Sequence, residues 1–295
     1  MKRPSISIVG PGKVGTALAR LAAAAGYSVN AIGGRDATQA SAAATSVGDQ
    51  TRALSVEEAA AASELVILAV SDSAIEEVAL GLARAGSMQD GSVLVHCSGA
   101  LTSELLAPVK ANASVSVASF HPLQTFPTIE SAMTSLPGSH CFLEGDDRAL
   151  VMLEAFGAAL GTQCVRIETD AKVLYHAGAV LACNYLCGLI DAALGANEAA
   201  GIGRGTAMTA LRPLIETTLA NIANLGPAAA LTGPIQRGDA QTVALHMRAL
   251  EDAAPNLAHL YQTLGESTLS LAEGKASFDE ATRAALRRAL ALDPS

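Results

Sequence analysis

Short β-branched apolar runs alternate with alanine-rich helical stretches over the first half of the chain. Beyond residue 168 only helical patterns remain. Ser5-Ile6-Ser7-Ile8-Val9 reads as a buried strand, and Thr16 to Ala25 as a helix ended by Gly26. Further strands are expected at Tyr27 to Ile32, Glu64–Val70, Ser92–His96, Ser114–Phe120, Cys141–Leu143 and Cys164–Ile167. Helices are expected near 37–44, 56–62, 74–85 and 147–160, with another running through Ala107. Strands alternating with helices imply a parallel sheet covered on both faces. The pattern then turns to long helices over 170–195, 204–224, 239–252, 255–273 and 278–291, with Gly226-Pro227 and Gly233-Pro234 as punctuation. The expected fold class is α/β: a doubly wound sheet over residues 1–168, followed by an all-α domain over 169–295.

The turn between the first strand and first helix is Gly10-Pro11-Gly12-Lys13-Val14-Gly15. A glycine-rich turn in that context is the dinucleotide-binding fingerprint of Rossmann domains. Its first glycine makes the turn, its second admits a pyrophosphate, and its third lets helix and strand pack closely. The helix N-terminus adds free N–H groups and partial positive charge. Gly10, Gly12, Lys13, Val14 and Gly15 are thus candidate coenzyme contacts, joined by Ser71 after a later strand. Arg35 lies 20 residues beyond Gly15, where the second strand ends. An arginine there suits the 2′-phosphate of NADP, whereas Asp36 turned inward would hold the ribose of NAD. NADP is the expected cofactor, with NAD the alternative.

In open α/β sheets ligands sit beyond the carboxyl ends of strands. Ser98 and His121 occupy such places. Ser98 either caps the following helix or meets a substrate carboxylate or carbonyl. His121 precedes a proline and is suited to proton donation near neutral pH, or else is a buried histidine bonded to a carbonyl. In the first helix of the second half, Lys172, His176 and Asn184 are spaced by four and eight residues, which places them on one stripe. Polar groups on a stripe amid small apolar residues are costly to bury without a partner, which points to a cleft. Arg237, in the turn Thr232 to Asp239, is a candidate carboxylate clamp; Asp239 reads as a helix N-cap.

Composition narrows the alternatives. Of 295 residues, 50% are hydrophobic and only 3% aromatic, so Ala, Val and Leu build the core. A net charge of −9 argues against nucleic acid and anionic membranes as partners. Five cysteines without metal spacing read as free thiols in a reducing, cytoplasmic compartment, and no metal site is expected. The apolar stretch Ala177 to Ala196 contains Asn184 and Asp191, which favours a buried helix of a soluble protein over a membrane span.

Four segments carry a resemblance: Gly10 to Gly15, Ser119-Phe120-His121-Pro122-Leu123-Gln124-Thr125-Phe126, Tyr175-His176 through Asn184, and Thr232-Gly233-Pro234 through Arg237-Gly238-Asp239. With them the chain resembles, over essentially its whole length, the Rossmann-like proteins with a C-terminal DUF2520 domain. More distantly it is similar to the 6-phosphogluconate-dehydrogenase-like superfamily, with its ketopantoate and pyrroline-5-carboxylate reductases. The resemblance implies an NADP-dependent oxidoreductase reducing the carbonyl or imine of a small oxo- or imino-acid, ketopantoate-like or pyrroline-5-carboxylate-like. An NADP(H)-binding redox sensor without turnover is the alternative. In the superfamily a lysine is catalytic where Lys172 stands, and His176 takes the place of an asparagine one turn on. His121-Pro122 is similar to the His-Pro of prephenate dehydrogenases. His176, Lys172 and His121 are therefore the catalytic candidates; Asn184, Ser98 and Arg237 are the substrate-binding ones. A homodimer is expected.

Overall fold

The structure, a computed structural model, describes residues 3–111, 113–274 and 278–291. It divides into two compact units, Met1–Leu181 and Ala182–Ser295. The division falls beyond the boundary expected after residue 168, because the first helix after that point is anchored in the first unit by a buried lysine.

The first unit runs β1 (Ile6–Val9), α1 (Lys13–Ala24), β2 (Val29–Gly33), α2 (Ala37–Val47), β3 (Arg52–Leu54), α3 (Val56–Ala61), β4 (Leu65–Leu68), α4 (Asp72–Ala85) and β5 (Val93–His96). After a 3-10 segment, Ser103–Ala111, come β6 (Ser116–Pro122), α5 (Ile129–Ser135), β7 (His140–Gly145), α6 (Asp147–Ala159), β8 (Gln163–Arg166) and α7 (Lys172–Ala179). The strands form one eight-stranded sheet in the order β3-β2-β1-β4-β5-β6-β7-β8. All neighbours are parallel except β6 and β7, which pair antiparallel, a departure from the parallel sheet expected. The connection between them packs α5 on α1 instead of crossing back over the sheet. Two strips of core flank the strands. Ile6, Ile8, Leu18, Phe120 and Phe156 fill one, and Val9, Val66, Leu68, Ile75 and Leu94 the other. Alternate residues of each strand thus face opposite layers, as a sheet covered on both sides requires.

A buried polar row crosses three strands of this core at one level. His96 of β5, Ser119 of β6 and Glu144 of β7 are register partners, and all three are buried. The His96 Nδ1 accepts the Ser98 N–H at 3.1 Å, which leaves Nε2 to donate to the Thr102 carbonyl, also at 3.1 Å. One ring nitrogen accepting and one donating describes a neutral imidazole.

The second unit is helical: α8 (Tyr185–Ala199), α9 (Arg204–Leu225), α10 (Pro227–Ala230), α11 (Ala240–Ala253), α12 (Pro255–Glu273) and α13 (Glu280–Leu290). Val243, Leu269, Leu286 and Leu290 form its core. A five-residue π-helix, Val180–Asn184, separates α7 from α8. The run Thr169–Ala199 is long and apolar enough to cross a membrane, and none of its most apolar window is buried. The buried helix expected over Ala177 to Ala196 is therefore exposed in the single chain: apolar residues occur on all its faces, and the chain covers few of them.

Burial pushes His96 down to about 4 from an ordinary 6.5. The unfolded chain takes up this proton near pH 6.5, while the folded chain resists it until about 4. The stability contributed is thus complete above 6.5 and lost as pH falls toward 4, up to roughly 3 kcal/mol. Urea midpoints measured from pH 8 to 4.5 are expected to fall most steeply below 6.5. His96→Asn keeps an acceptor for Ser98 and should show a shallower fall; an unchanged slope would contradict this origin.

Candidate active site

Three features of the glycine turn suit a dinucleotide. Gly10 adopts φ +110°, and a Cβ there would fall 2.4 Å from the Ala69 carbonyl oxygen. A Cβ on Gly15 would fall 2.1 Å from the Gly10 carbonyl oxygen, so helix and turn touch backbone to backbone. Gly12, by contrast, faces open space. It is also the N-cap of α1 and supplies no side-chain bond to the helix, so the first N–H groups of α1 remain available to an anion.

A cavity of about 670 Å³ opens at this turn, with Gly10, Gly12, Arg35 and Ser71 in its wall. Asp36 lines it too, but its carboxylate is occupied: Oδ1 accepts the N–H groups of Thr38 and Gln39, and Oδ2 the Gln39 amide. Those bonds hold the Asp36 carboxyl below its usual range. Asp36 is the cap of α2, which leaves Arg35 as the side chain at the end of β2 free to meet a ligand. Arg84, at the end of α4, lies in the same wall and was not singled out from the sequence. Lys13 is exposed and lines neither this cavity nor its neighbour.

A second cavity, about 230 Å³, shares Ala69 and Val70 with the first. Val14, Asp72, Cys97, Ser98, His121 and Phe126 are among its lining residues. His121 follows Ser119 on the same face of β6, so it stands one step above the buried polar row. Its Nδ1 lies 2.8 Å from the Tyr175 hydroxyl. The Tyr175 ring in turn lies over Phe142, the register partner of His121, with centroids 4.2 Å apart. His176 meets His121 edge to face, with centroids 5.7 Å apart. A side chain at Gly99 would break this group, because a Cβ there would fall 2.3 Å from His176 and 2.8 Å from His121 Nε2. Burial first, then the neighbouring His176 and Lys172, push His121 down to about 4. It is a neutral imidazole at physiological pH, and Nε2 is the nitrogen that the Tyr175 bond leaves free. Burial pushes the Cys97 thiol up to about 12, so that wall carries no thiolate.

The expected polar stripe comes apart into three environments. Lys172 is 1% exposed and lines neither cavity. Its ammonium donates to Ser119 Oγ and lies 3.6 Å from Glu144. Burial lowers its proton affinity, and Glu144 opposes that shift. Glu144 also accepts the Ser103 N–H at 2.7 Å and the Ser103 hydroxyl at 2.9 Å. His176 alone of the three reaches His121. Asn184 is exposed and belongs to the second unit, at the end of a π-helix that breaks the four-residue phase. Arg237 is likewise exposed in the second unit, where Asp239 caps α11 through Thr242.

Ser98 lines the second cavity and also caps the turn that follows it. Its oxygen accepts the N–H groups of Ala100 and Leu101, and its proton goes to Asp72 Oδ2 at 2.9 Å. The hydroxyl is fully employed in capping the turn and holding Asp72. Tyr175, Gly99, Glu144 and Ser119 were not assigned roles from the sequence. Tyr175 offered a signal, standing three residues beyond Lys172 and hence on the same side of α7.

Comparison with known proteins agrees with this architecture. A family model described as a Rossmann-like domain matches residues 1–122, and one described as a domain of unknown function, DUF2520, matches residues 139–268. No curated protein matches the sequence. Among solved structures, a Thermotoga maritima protein is 26% identical, with a TM-score of 0.72 over 92% of this chain and 99% of its own. A Bacteroides fragilis protein provisionally named an NADP oxidoreductase is 22% identical, with a TM-score of 0.73 over 91% and 98%. The pyrroline carboxylate reductase of Plasmodium falciparum, solved with NADP bound, is 14% identical, with a TM-score of 0.58 over 99% and 100%. The chain thus carries, in this order, a Rossmann-like domain and a DUF2520 domain of unknown function.

Proposed function

We propose that the chain is an NADP(H)-dependent oxidoreductase acting on the carbonyl or imine of a small molecule. The observation that carries this reading is the shared wall between the two cavities: the one at the uncapped N-terminus of α1 adjoins the one lined by His121. Gly12 and the first N–H groups of α1 would hold the pyrophosphate, and Arg35 the 2′-phosphate. Ala69 and Val70, which line both cavities, would flank the coenzyme between them. The bound coenzyme supplies a hydride. The NADP found in the Plasmodium falciparum neighbour agrees with this choice.

His121 is the group that meets the reacting carbonyl or imine. A neutral imidazole with a depressed pKa acts at pH 7 as a hydrogen-bond donor that polarises the substrate, not as a charged acid. Tyr175 holds the ring so that Nε2 is its free nitrogen. His176 and Gly99 fix the ring's other side. Lys172 serves in this reading as the anchor of α7, since its ammonium is taken up by Ser119 and Glu144. The finer assignment, an oxo- or imino-acid held by Arg237 and oriented by Asn184, draws support from the family resemblance alone. NADPH fluorescence titration is expected to show binding, followed by oxidation in the presence of some members of a panel of small ketones and cyclic imines. Arg35→Ala should weaken NADPH about tenfold or more and NADH little. Equal losses would contradict the assignment of Arg35, and binding without turnover on the whole panel would favour a redox sensor.

The same reading includes a homodimer in a reducing compartment. Leu174 and Leu181 are 79% and 64% exposed in the first unit, and Leu214 and Leu225 are 62% and 60% exposed in the second. Lys172 and Tyr175, on the other side of α7, are engaged with the sheet, which argues for a protein cover over a lipid one. Light scattering is expected to give twice the chain mass at micromolar concentration, and Leu174→Glu with Leu181→Glu to give the single chain. A wild-type monomer would contradict the dimer.

A further inference from the structure

The charge balance of the 230 Å³ cavity says what kind of substrate it takes. Its lining includes one ionisable side chain of fixed sign, Asp72, and no lysine or arginine among the described residues. Asp72 stands at the first position of α4, and Ser98 holds its Oδ2 at 2.9 Å. That bond leaves Oδ1 without a hydrogen-bond partner among the described residues, on an exposed side chain that lines the same cavity as His121. The buried Lys172 ammonium does not line the cavity: it donates to Ser119 and is paired with Glu144. Both His121 and its neighbour His96 are held neutral by burial, so neither offsets a negative ligand.

A substrate carboxylate in this cavity would meet the like charge of Asp72 with no lysine or arginine among the lining residues to pair with. A positively charged nitrogen would find the opposite: a carboxylate in the wall, no cation among the lining residues, and apolar walls at Val14, Val70 and Phe126. We infer that the cavity binds a small amine or iminium cation, with Asp72 as the residue that selects it. The inference rests on the catalytic reading of the His121 cavity and adds to it the class of substrate. It also separates the carbon-bearing cavity from any carboxylate clamp: the site discriminates by the charge on nitrogen.

Calorimetric titration with three compounds of one shape tests this directly: cyclopentylamine, cyclopentanone and cyclopentanecarboxylate, each at pH 7.5 with and without NADP⁺. The amine is expected to bind about tenfold or more tightly than the other two. Asp72→Asn preserves an acceptor for Ser98, so the turn is kept, and it should abolish the preference. Three results would overturn the inference: the carboxylate binding as tightly as the amine, the preference surviving in Asp72→Asn, or that variant altering only the ratio of NADP⁺ to NADPH affinity. The last would make Asp72 a partner of the nicotinamide ring. If neither coenzyme binds while the amine preference depends on Asp72, the coenzyme reading fails and the cation site stands.

Discussion

A lysine sealed beneath a helix organises the first unit. Lys172 could reach solvent from almost any other position on α7; instead its ammonium is bonded to Ser119 and paired with Glu144 inside the sheet's cover. An unpaired charge there would cost several kcal/mol, so the helix is tied to one seating in which the pair is satisfied. Glu144 is itself tied by Ser103, and Ser119 is its register partner on β6. The pair adds little net stability over a well-packed apolar pair, but it specifies where α7 lies.

That seating delivers the chemistry. Three and four residues beyond Lys172, Tyr175 and His176 descend onto His121, and Gly99 gives the space in which the two imidazoles meet. The strand sets the other half: Ser119 and His121 are two residues apart on β6, so the buried anchor and the reactive histidine share a face at successive levels. Burial keeps His121 neutral, and the same burial places it beside a cavity that adjoins the glycine turn. Structural pairing and reactive edge are thus one device seen at two heights.

The glycine turn and the central strands were legible because their signals are local. Each glycine answers a contact within its own turn, and each buried strand is a continuous apolar run. β3 is three residues of edge strand with two exposed positions, and it left no run to read. α5 is seven residues long and set by the Thr128–Ser131 capping pair, too short for a helical period. The Lys172, His176 and Asn184 stripe was read from spacing alone. Spacing gives a shared face but not what that face meets. Glu144, which decides the fate of Lys172, lies 28 residues away on a strand whose expected end fell one residue short of it. The π-helix that ends at Asn184 then shifts the phase, and five residues of π geometry carry no signature in the pattern. The choice between Arg35 and Asp36 needed the geometry of the α2 cap.

The central claim is that α7 and the strands around it hold His121 neutral against Tyr175 at the wall of the cavity. Histidine-selective NMR titration of the whole protein measures this directly, with His121→Gln identifying the resonance. The account predicts a midpoint near pH 4 and a neutral ring carrying its proton on Nε2, with the midpoint moving upward when Gly99→Ala displaces His176. A midpoint near 6.5 in the wild type would describe a solvated histidine and contradict the site.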